Sequence, residues 1–151
     1  MNLEGGCQCG NIRYLLHSKP IVVYACHCTD CQKQASSAFG ISVWIARDDF
    51  ELTRGTLSLW QTRGDSGSTK DCAFCPDCGS RIYHAIATDP NIFSLKGGSL
   101  DGARTLQPAA HIWLGSAQEW VLIDRENQLC YQTEPESFDE IIDHYRYLLN
   151  V

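Results

Sequence analysis

The chain has 151 residues, a formal net charge of −6 and 44% hydrophobic residues, enough apolar material for one domain with its own core, so disorder of the whole chain is excluded. No run of about 18 apolar residues occurs, which excludes a transmembrane helix. The acidic chain also lacks the Lys and Arg cluster that nucleic-acid binding needs. Its first ten residues lack the pattern of a signal peptide. We therefore expect a cytoplasmic protein with a single domain over residues 1–151 and with neither nucleic acid nor membrane as a partner.

The elements predicted along the chain are mostly short strands. They are segments in which apolar and polar residues alternate, or in which apolar β-branched residues run together. These segments are residues 12–16, 20–24, 39–45, 57–59, 82–86, 92–95 and 111–114. The polar residues 63–68 predict a loop between two of the strands.

Two helices are predicted in addition. The first covers residues 29–36, directly after the middle group of cysteines. The second covers residues 138–149, because its apolar residues share one face at helical spacing. Ser137 and Glu140 at its start have the pattern of a capping box. The fold class predicted is mainly β, with a short helix after the CxCxxC motif and a C-terminal helix.

Nine cysteines are the most informative feature of the sequence. Cys130 stands alone, and the others form a CxC, a CxCxxC and a CxxCxxC motif. The number is odd, no secretory signal is visible and the chain can build its own core, so a disulfide framework is disfavoured. Closely spaced thiols on a turn instead converge on one position, as a tetrahedral zinc site requires. The grouped residues are Cys7, Cys9, Cys26, Cys28, Cys31, Cys72, Cys75 and Cys78.

The spacing suggests one four-cysteine zinc site. Cys75 and Cys78, followed by Gly79, form the clearest half-site of the sequence. Cys7 and Cys9 are a pair without another partner and can supply the second half. A zinc ion held by these four thiols would connect the N-terminal segment to the middle of the chain.

Cys26, Cys28 and Cys31 are left as three thiols from one turn. Three protein ligands with an open fourth position are typical of a catalytic zinc. The alternative is a closed site that takes Cys72 as its fourth ligand. His27 lies between two of the ligands and is not expected to bind the same ion. The sequence thus predicts two Zn²⁺ ions, one structural and a second that is either labile in an open, active-site position or enclosed by Cys72.

Three segments of the chain resemble the glutathione-dependent formaldehyde-activating enzyme family, which also includes the zinc-binding region of centromere protein V. Residues 6–14 read GCQCGNIRY, residues 26–33 read CHCTDCQK with SAF at 37–39, and residues 74–80 read FCPDCGS. Their order and separations match the family pattern. His111 and Trp113 resemble its C-terminal part.

The resemblance implies a β-tent fold, in which antiparallel sheets surround a structural zinc held by Cys7, Cys9, Cys75 and Cys78. It also implies a second zinc in an active site, and the catalytic residues would be the ligands of that ion, Cys26, Cys28 and Cys31. The implied partners are glutathione and an aldehyde. The family reaction joins glutathione and formaldehyde to S-(hydroxymethyl)glutathione, which is a carbon–sulfur lyase reaction read in reverse.

Two other functions remain open at this point: a non-catalytic zinc module for protein interaction, and a metal-free thiol redox switch. A closed second site would favour the module. Lys33 and Arg13 can either attract anionic glutathione or be solvated surface residues. His84 and His111 have the surroundings of buried core histidines, and the family resemblance makes His111 the better active-site candidate.

Overall fold

The computed structural model describes residues 3–64, 67, 69–86 and 89–150. The elements in this part of the chain confirm a mainly β fold with two α-helices. In chain order they are β1 (Leu3–Gly6), β2 (Arg13–Leu16), β3 (Val22–Cys26), α1 (Thr29–Ala35), β4 (Gly40–Ala46), β5 (Phe50–Arg54), β6 (Ser58–Arg63), β7 (Thr69–Phe74), β8 (Arg81–Ile86), β9 (Asp89–Lys96), β10 (Ala110–Ile112), β11 (Leu129–Cys130) and α2 (Asp139–Leu148).

The chain divides into two compact units, each made of two stretches of sequence. The first unit consists of residues 1–21 and 43–106, and the second consists of residues 22–42 and 107–151. The single domain over residues 1–151 stays a prediction. In the described part of the chain, no helix has both the length and the apolar character needed to span a membrane.

The first unit is built from antiparallel strands. β2 lies between β1 and β5, and β6, β7, β8 and β9 pair in that order. The predicted alternation in residues 12–16 is confirmed, because Ile12, Tyr14 and Leu16 are each at most 1% exposed. Gly5 lies opposite Tyr14. This packing holds the β1–β2 turn, which carries the CxC motif.

The strand β6 differs from its predicted burial. Leu57 and Leu59 alternate as on a buried strand face, yet Leu59 is 65% exposed. β6 is at the end of its sheet, where a strand has a neighbour on one side only. Of the loop predicted at residues 63–68, residues 65, 66 and 68 lie outside the described part of the chain.

The second unit has parallel strand pairs, which the sequence analysis did not anticipate. β10 pairs with both β3 and β11 in parallel, so that His111 lies opposite Ala25 on one side and Cys130 on the other. All five residues of β3 are buried. Helix α2 contacts β3, and the rings of Tyr24 and Phe138 pack with centroids 5.3 Å apart. The second group of cysteines starts at the end of β3.

The predicted C-terminal helix is confirmed as α2, but its capping box is not formed. Ser137 Oγ accepts a hydrogen bond from the Asp139 N–H at 3.1 Å, as a capping side chain does. The carboxylate of Glu140 should reach back to complete the box, but it instead accepts a hydrogen bond from the Tyr131 hydroxyl at 2.6 Å. The apolar face of the helix is buried at Ile141 and Tyr145, at 0% and 6% exposure, but its last residue, Leu149, is 40% exposed.

The strand predicted at residues 111–114 ends early, at Ile112. Trp113 has a φ of 59° in the left-handed region, which is unfavourable for a bulky residue. Its N–H donates to Thr133 O at 3.2 Å, and its carbonyl accepts from the N–H of Ser116 at 3.2 Å. These bonds direct the chain away from the sheet immediately after the residue that pairs with Cys26.

Two cysteine clusters as candidate metal centres

The four cysteines of the first cluster come from two turns of the first unit. Cys7 and Cys9 lie in the β1–β2 turn, and Cys75 and Cys78 lie in the β7–β8 turn. Their sulfur atoms are all within 4.8 Å of one another. We call Cys7, Cys9, Cys75 and Cys78 the first cluster. It has the membership that the sequence predicted for a four-cysteine site.

The sulfur separations in the first cluster fit a tetrahedral metal ion. Cys7 Sγ and Cys9 Sγ are 3.4 Å apart, and Cys9 Sγ and Cys75 Sγ are 3.8 Å apart. Four sulfurs at ~2.3 Å from one zinc ion lie ~3.8 Å apart, whereas a disulfide bond requires ~2.05 Å. None of the nine cysteines, all of which lie in the described part of the chain, forms a disulfide bond. The donor set therefore suits a soft divalent ion such as Zn²⁺.

The turn of the CxxC motif is shaped by its glycine. Gly79 has a φ of +75°, a conformation that residues with a Cβ rarely adopt. This lets the Gly79 N–H donate to Cys75 O at 2.9 Å while the Cys75 N–H donates to Ser80 O at 2.9 Å. The two bonds close the turn and direct Cys75 and Cys78 to the same side.

Ser80 connects the two turns of the first cluster, a role that the sequence analysis missed. Its Oγ accepts a hydrogen bond from the Gln8 N–H at 3.1 Å, so its own hydroxyl hydrogen can donate to Cys78 Sγ at 3.2 Å. This hydrogen bond is the main reason that the pKa of Cys78 falls to about 5. Asn11 Nδ2 also donates across the turns to Asp77 at 2.9 Å. The only sequence signal was a serine directly after the CxxCG motif.

The second cluster lies in the second unit and consists of Cys26, Cys28 and Cys31. Cys26 ends β3, Cys28 is the N-cap of α1 and Cys31 lies inside α1. Their sulfurs are within 4.8 Å of one another, and each residue is 5% to 6% exposed. The Cys31 N–H donates to Cys28 Sγ at 3.3 Å, so one cysteine also caps the helix that carries another.

Three thiols in a buried position cannot all ionise without a cation. The neighbouring thiols of Cys28 and Cys31, followed by burial, raise the pKa of Cys26. A divalent ion would reverse this preference, because it stabilises the thiolate form. The proposed alternative ligand Cys72 belongs to neither group of converging side chains. Cys72 lies in β7 of the first unit, opposite Trp60 and His84.

The structure brings His27 and His111 together, beside rather than among the three thiols. His27 Nε2 and His111 Nδ1 are 2.8 Å apart, and the residues are 0% and 6% exposed. Burial, and then the neighbouring His111, lower the pKa of His27 to about 4. Burial is also the main cause that lowers the pKa of His111. Burial thus favours the neutral form of both rings.

The two basic residues considered for substrate binding have different surroundings. Arg13 forms a bidentate ion pair with Asp101, in which Arg13 Nη1 lies 2.9 Å from Asp101 Oδ1. Arg13 Nη2 also lies 3.6 Å from the carboxylate of Glu4. Its charge is thus used within the first unit. Lys33 is exposed on α1, the helix that contains Cys31 and is capped by Cys28.

We predict that mild chelation of the zinc-loaded protein removes the ion of the second cluster first. Three thiolates hold an ion less firmly than four, and the first cluster connects two distant turns. Zinc release should be followed with a chromogenic indicator while circular dichroism reports the sheets. About one equivalent should leave without loss of structure. Simultaneous loss of both ions and of the sheet signal would contradict this order.

Comparison with known proteins adds the family to this geometry. The family model described as "Glutathione-dependent formaldehyde-activating enzyme" matches residues 2–116. A Halomonas elongata protein, provisionally named as an enzyme of this kind, is 27% identical over 143 residues, which covers 90% of each chain. A crystal structure of a Rhodobacter sphaeroides protein covers 85% of this chain and 98% of its own, with a TM-score of 0.51 and 17% identity, and supports the fold alone. The chain therefore belongs to the glutathione-dependent formaldehyde-activating enzyme family.

Proposed function

We propose that this chain is a cytoplasmic, zinc-dependent enzyme that acts on adducts of glutathione and formaldehyde, in the manner of a carbon–sulfur lyase. The observation that carries the proposal is the buried three-thiol second cluster in a chain of this family. The provisional name of the Halomonas elongata relative agrees with it.

The two clusters would have different tasks. The first cluster, with four thiols on two turns, suits a structural Zn²⁺ that completes the fold of the first unit. The second cluster, with three thiols, leaves a position for an exchangeable ligand, as catalytic sites do. A Zn²⁺ ion bound there would favour the ionised form of a thiol and would polarise a carbonyl oxygen.

The reaction needs little acid–base chemistry from the protein. The thiol of glutathione loses its proton, and its sulfur forms a bond to the carbonyl carbon of formaldehyde. The π electrons of the carbonyl move to the oxygen, which takes up a proton and becomes the hydroxyl of the adduct. The reverse sequence breaks the carbon–sulfur bond and returns thiol and aldehyde. Bringing the two reactants together is a large part of such catalysis.

The negative charges of the protein and of glutathione favour weak binding of this tripeptide. The chain carries a net charge of −6, and glutathione is also an anion. Arg13 is paired with Asp101, while Lys33 is an exposed cation on α1. We expect a dissociation constant on the order of 1 mM, equivalent to about −4 kcal/mol, that depends mainly on the thiol.

The test is exchange spectroscopy with ¹³C-formaldehyde and glutathione in the presence of zinc-loaded protein. The protein should accelerate exchange between the free aldehyde and S-(hydroxymethyl)glutathione beyond the spontaneous rate. S-methylglutathione retains the charges but has no ionisable thiol, and it should not compete. An unchanged exchange rate with both zinc ions bound would contradict the enzyme proposal and would favour a non-catalytic zinc module.

A further inference from the structure

His27 lies between two thiols of the second cluster, and its backbone is fixed from three directions. Its N–H donates to Ile112 O at 3.0 Å. Its carbonyl oxygen accepts from Gln32 Nε2 at 2.7 Å and from Ser116 Oγ at 2.9 Å. Both polar groups of the peptide chain at this residue are therefore used, by partners from β10, from α1 and from the turn after β10.

The side chain of His27 is the end of a series of hydrogen bonds that begins at half-buried Gln128 and passes through buried His111, and the direction of these bonds is determined. Gln128 Nε2 donates to Pro108 O at 3.0 Å, so the amide oxygen of Gln128 faces His111. An amide oxygen can only accept, and it therefore requires the hydrogen on His111 Nε2, 3.1 Å away. His111 Nδ1 is then a bare acceptor, and the hydrogen between the two rings belongs to His27 Nε2.

The ring of His27 is also confined by packing. The ring of Phe39 lies 5.1 Å from that of His27 and 6.3 Å from that of His111, measured between centroids. His27 Nδ1 is buried, and the described residues offer it no hydrogen-bond partner. A flip of the ring about its Cβ–Cγ bond would exchange Nε2 for Cε1, so that a carbon atom would face His111 Nδ1 and the hydrogen bond between the two rings would be lost. The observed orientation of the His27 ring is thus the one that the hydrogen bonds from Gln128 through His111 permit.

We propose that Gln128 and His111 are positioning residues of the second cluster. They act through the imidazole of His27, and so fix the direction of the segment that joins Cys26 to Cys28. A residue between two ligands controls the angle at which both sulfurs are presented. Loss of partners that hydrogen-bond metal ligands typically costs 10- to 100-fold in metal affinity, and Gln128 and His111 hold the residue that joins two such ligands. The inference rests on the proposed function only in that the second cluster binds a metal ion.

The tautomer can be measured without metal or substrate. Long-range ¹H–¹⁵N correlation spectra of the protein with ¹⁵N-labelled histidine should assign the hydrogen to Nε2 in both His27 and His111. Gln128→Leu removes the acceptor and should produce a mixture of tautomers at both rings. A wild-type His27 protonated on Nδ1 would overturn the proposal.

Metal affinity tests the positioning role, and the first cluster is an internal reference. In competition titrations with Co²⁺, His111→Phe should weaken binding at the second cluster by about 10- to 100-fold and leave the first cluster unchanged. The thiolate-to-Co²⁺ charge-transfer bands of the second cluster should change in this variant, and those of the first cluster should not. Gln128→Leu should act in the same direction.

Three results would overturn the positioning role: affinity of His111→Phe within twofold of the wild type, equal weakening at both clusters, or a wild-type protein that binds no second ion. The proposed enzymatic function is tested by a different measurement. If the second ion depends on His111 as expected but the wild type does not accelerate adduct exchange, the positioning role stands and the enzyme proposal fails.

Discussion

Cys9→Ser is expected to prevent stable folding of the first unit. A serine hydroxyl is a poor zinc ligand, and the ion is expected to hold together the turns before β2 and after β7. At a site of this kind the free energy of metal binding is free energy of folding, with apparent values of roughly 10–16 kcal/mol for structural zinc in small peptides. Cys9 is exposed, so its replacement costs little packing. Any large loss of stability then reports the metal.

The matched control for this variant is Cys130→Ser. Cys130 is half-buried and belongs to neither cluster. In the described part of the chain, its sulfur has one hydrogen-bond partner, the carbonyl oxygen of Gln128 at 3.6 Å. We expect it to retain the wild-type melting temperature within a few degrees and two equivalents of zinc. Thermal melts and elemental analysis of both variants decide the matter. Cys9→Ser with unchanged melting temperature and full zinc content would remove the structural assignment of the first cluster.

The membership of the clusters was predictable because each ligand pair is local in sequence. A CxC or CxxC motif on a turn directs two thiols to one side, whatever the rest of the fold does. Cys7, Cys9, Cys75 and Cys78 could then be joined because two half-sites need each other. The alternation at Tyr14 and Leu16 likewise reports burial directly. Such inferences need no knowledge of distant contacts.

Features that depend on distant partners were not predictable. The strand β7 reads TKDCAF, which has no apolar alternation, and it forms because β6 and β8 pair with it on both sides. The capping box at Ser137 fails because Tyr131, from outside the helix, takes the carboxylate of Glu140. Gln128 is the last of five consecutive polar residues in a turn-rich segment, and nothing in the local sequence connects it to His111.

Cys28→Ser is expected to abolish zinc-dependent glutathione binding while the fold is retained. Cys28 Sγ caps helix α1 by accepting a hydrogen bond from the Cys31 N–H. A serine oxygen is one of the preferred N-cap groups, so the helix should keep its cap. What the variant loses is one of three thiolates that would hold the second ion. The first cluster shares no residue with this site, so its zinc should stay bound.

The measurement is titration of glutathione into zinc-loaded protein, followed by calorimetry or NMR. The wild type should bind with a dissociation constant on the order of 1 mM, and Cys28→Ser should bind at least tenfold more weakly, a difference of about 1.4 kcal/mol. Cys130→Ser should behave as the wild type, which excludes a general effect of losing a thiol. Circular dichroism should be the same for all three proteins.

S-methylglutathione separates the thiol from the rest of the ligand. It has the same carboxylates and amine as glutathione, so any binding through surface charge, for example at Lys33 on α1, would persist with it. If the thiol is what the second cluster recognises, S-methylglutathione should fail to bind to the wild type. Equal affinity of glutathione for the wild type and for Cys28→Ser would show that the second cluster does not recognise the thiol of glutathione. The second cluster would then be a structural feature of a binding module, because a site that ignores the reacting sulfur cannot favour formation of the carbon–sulfur bond.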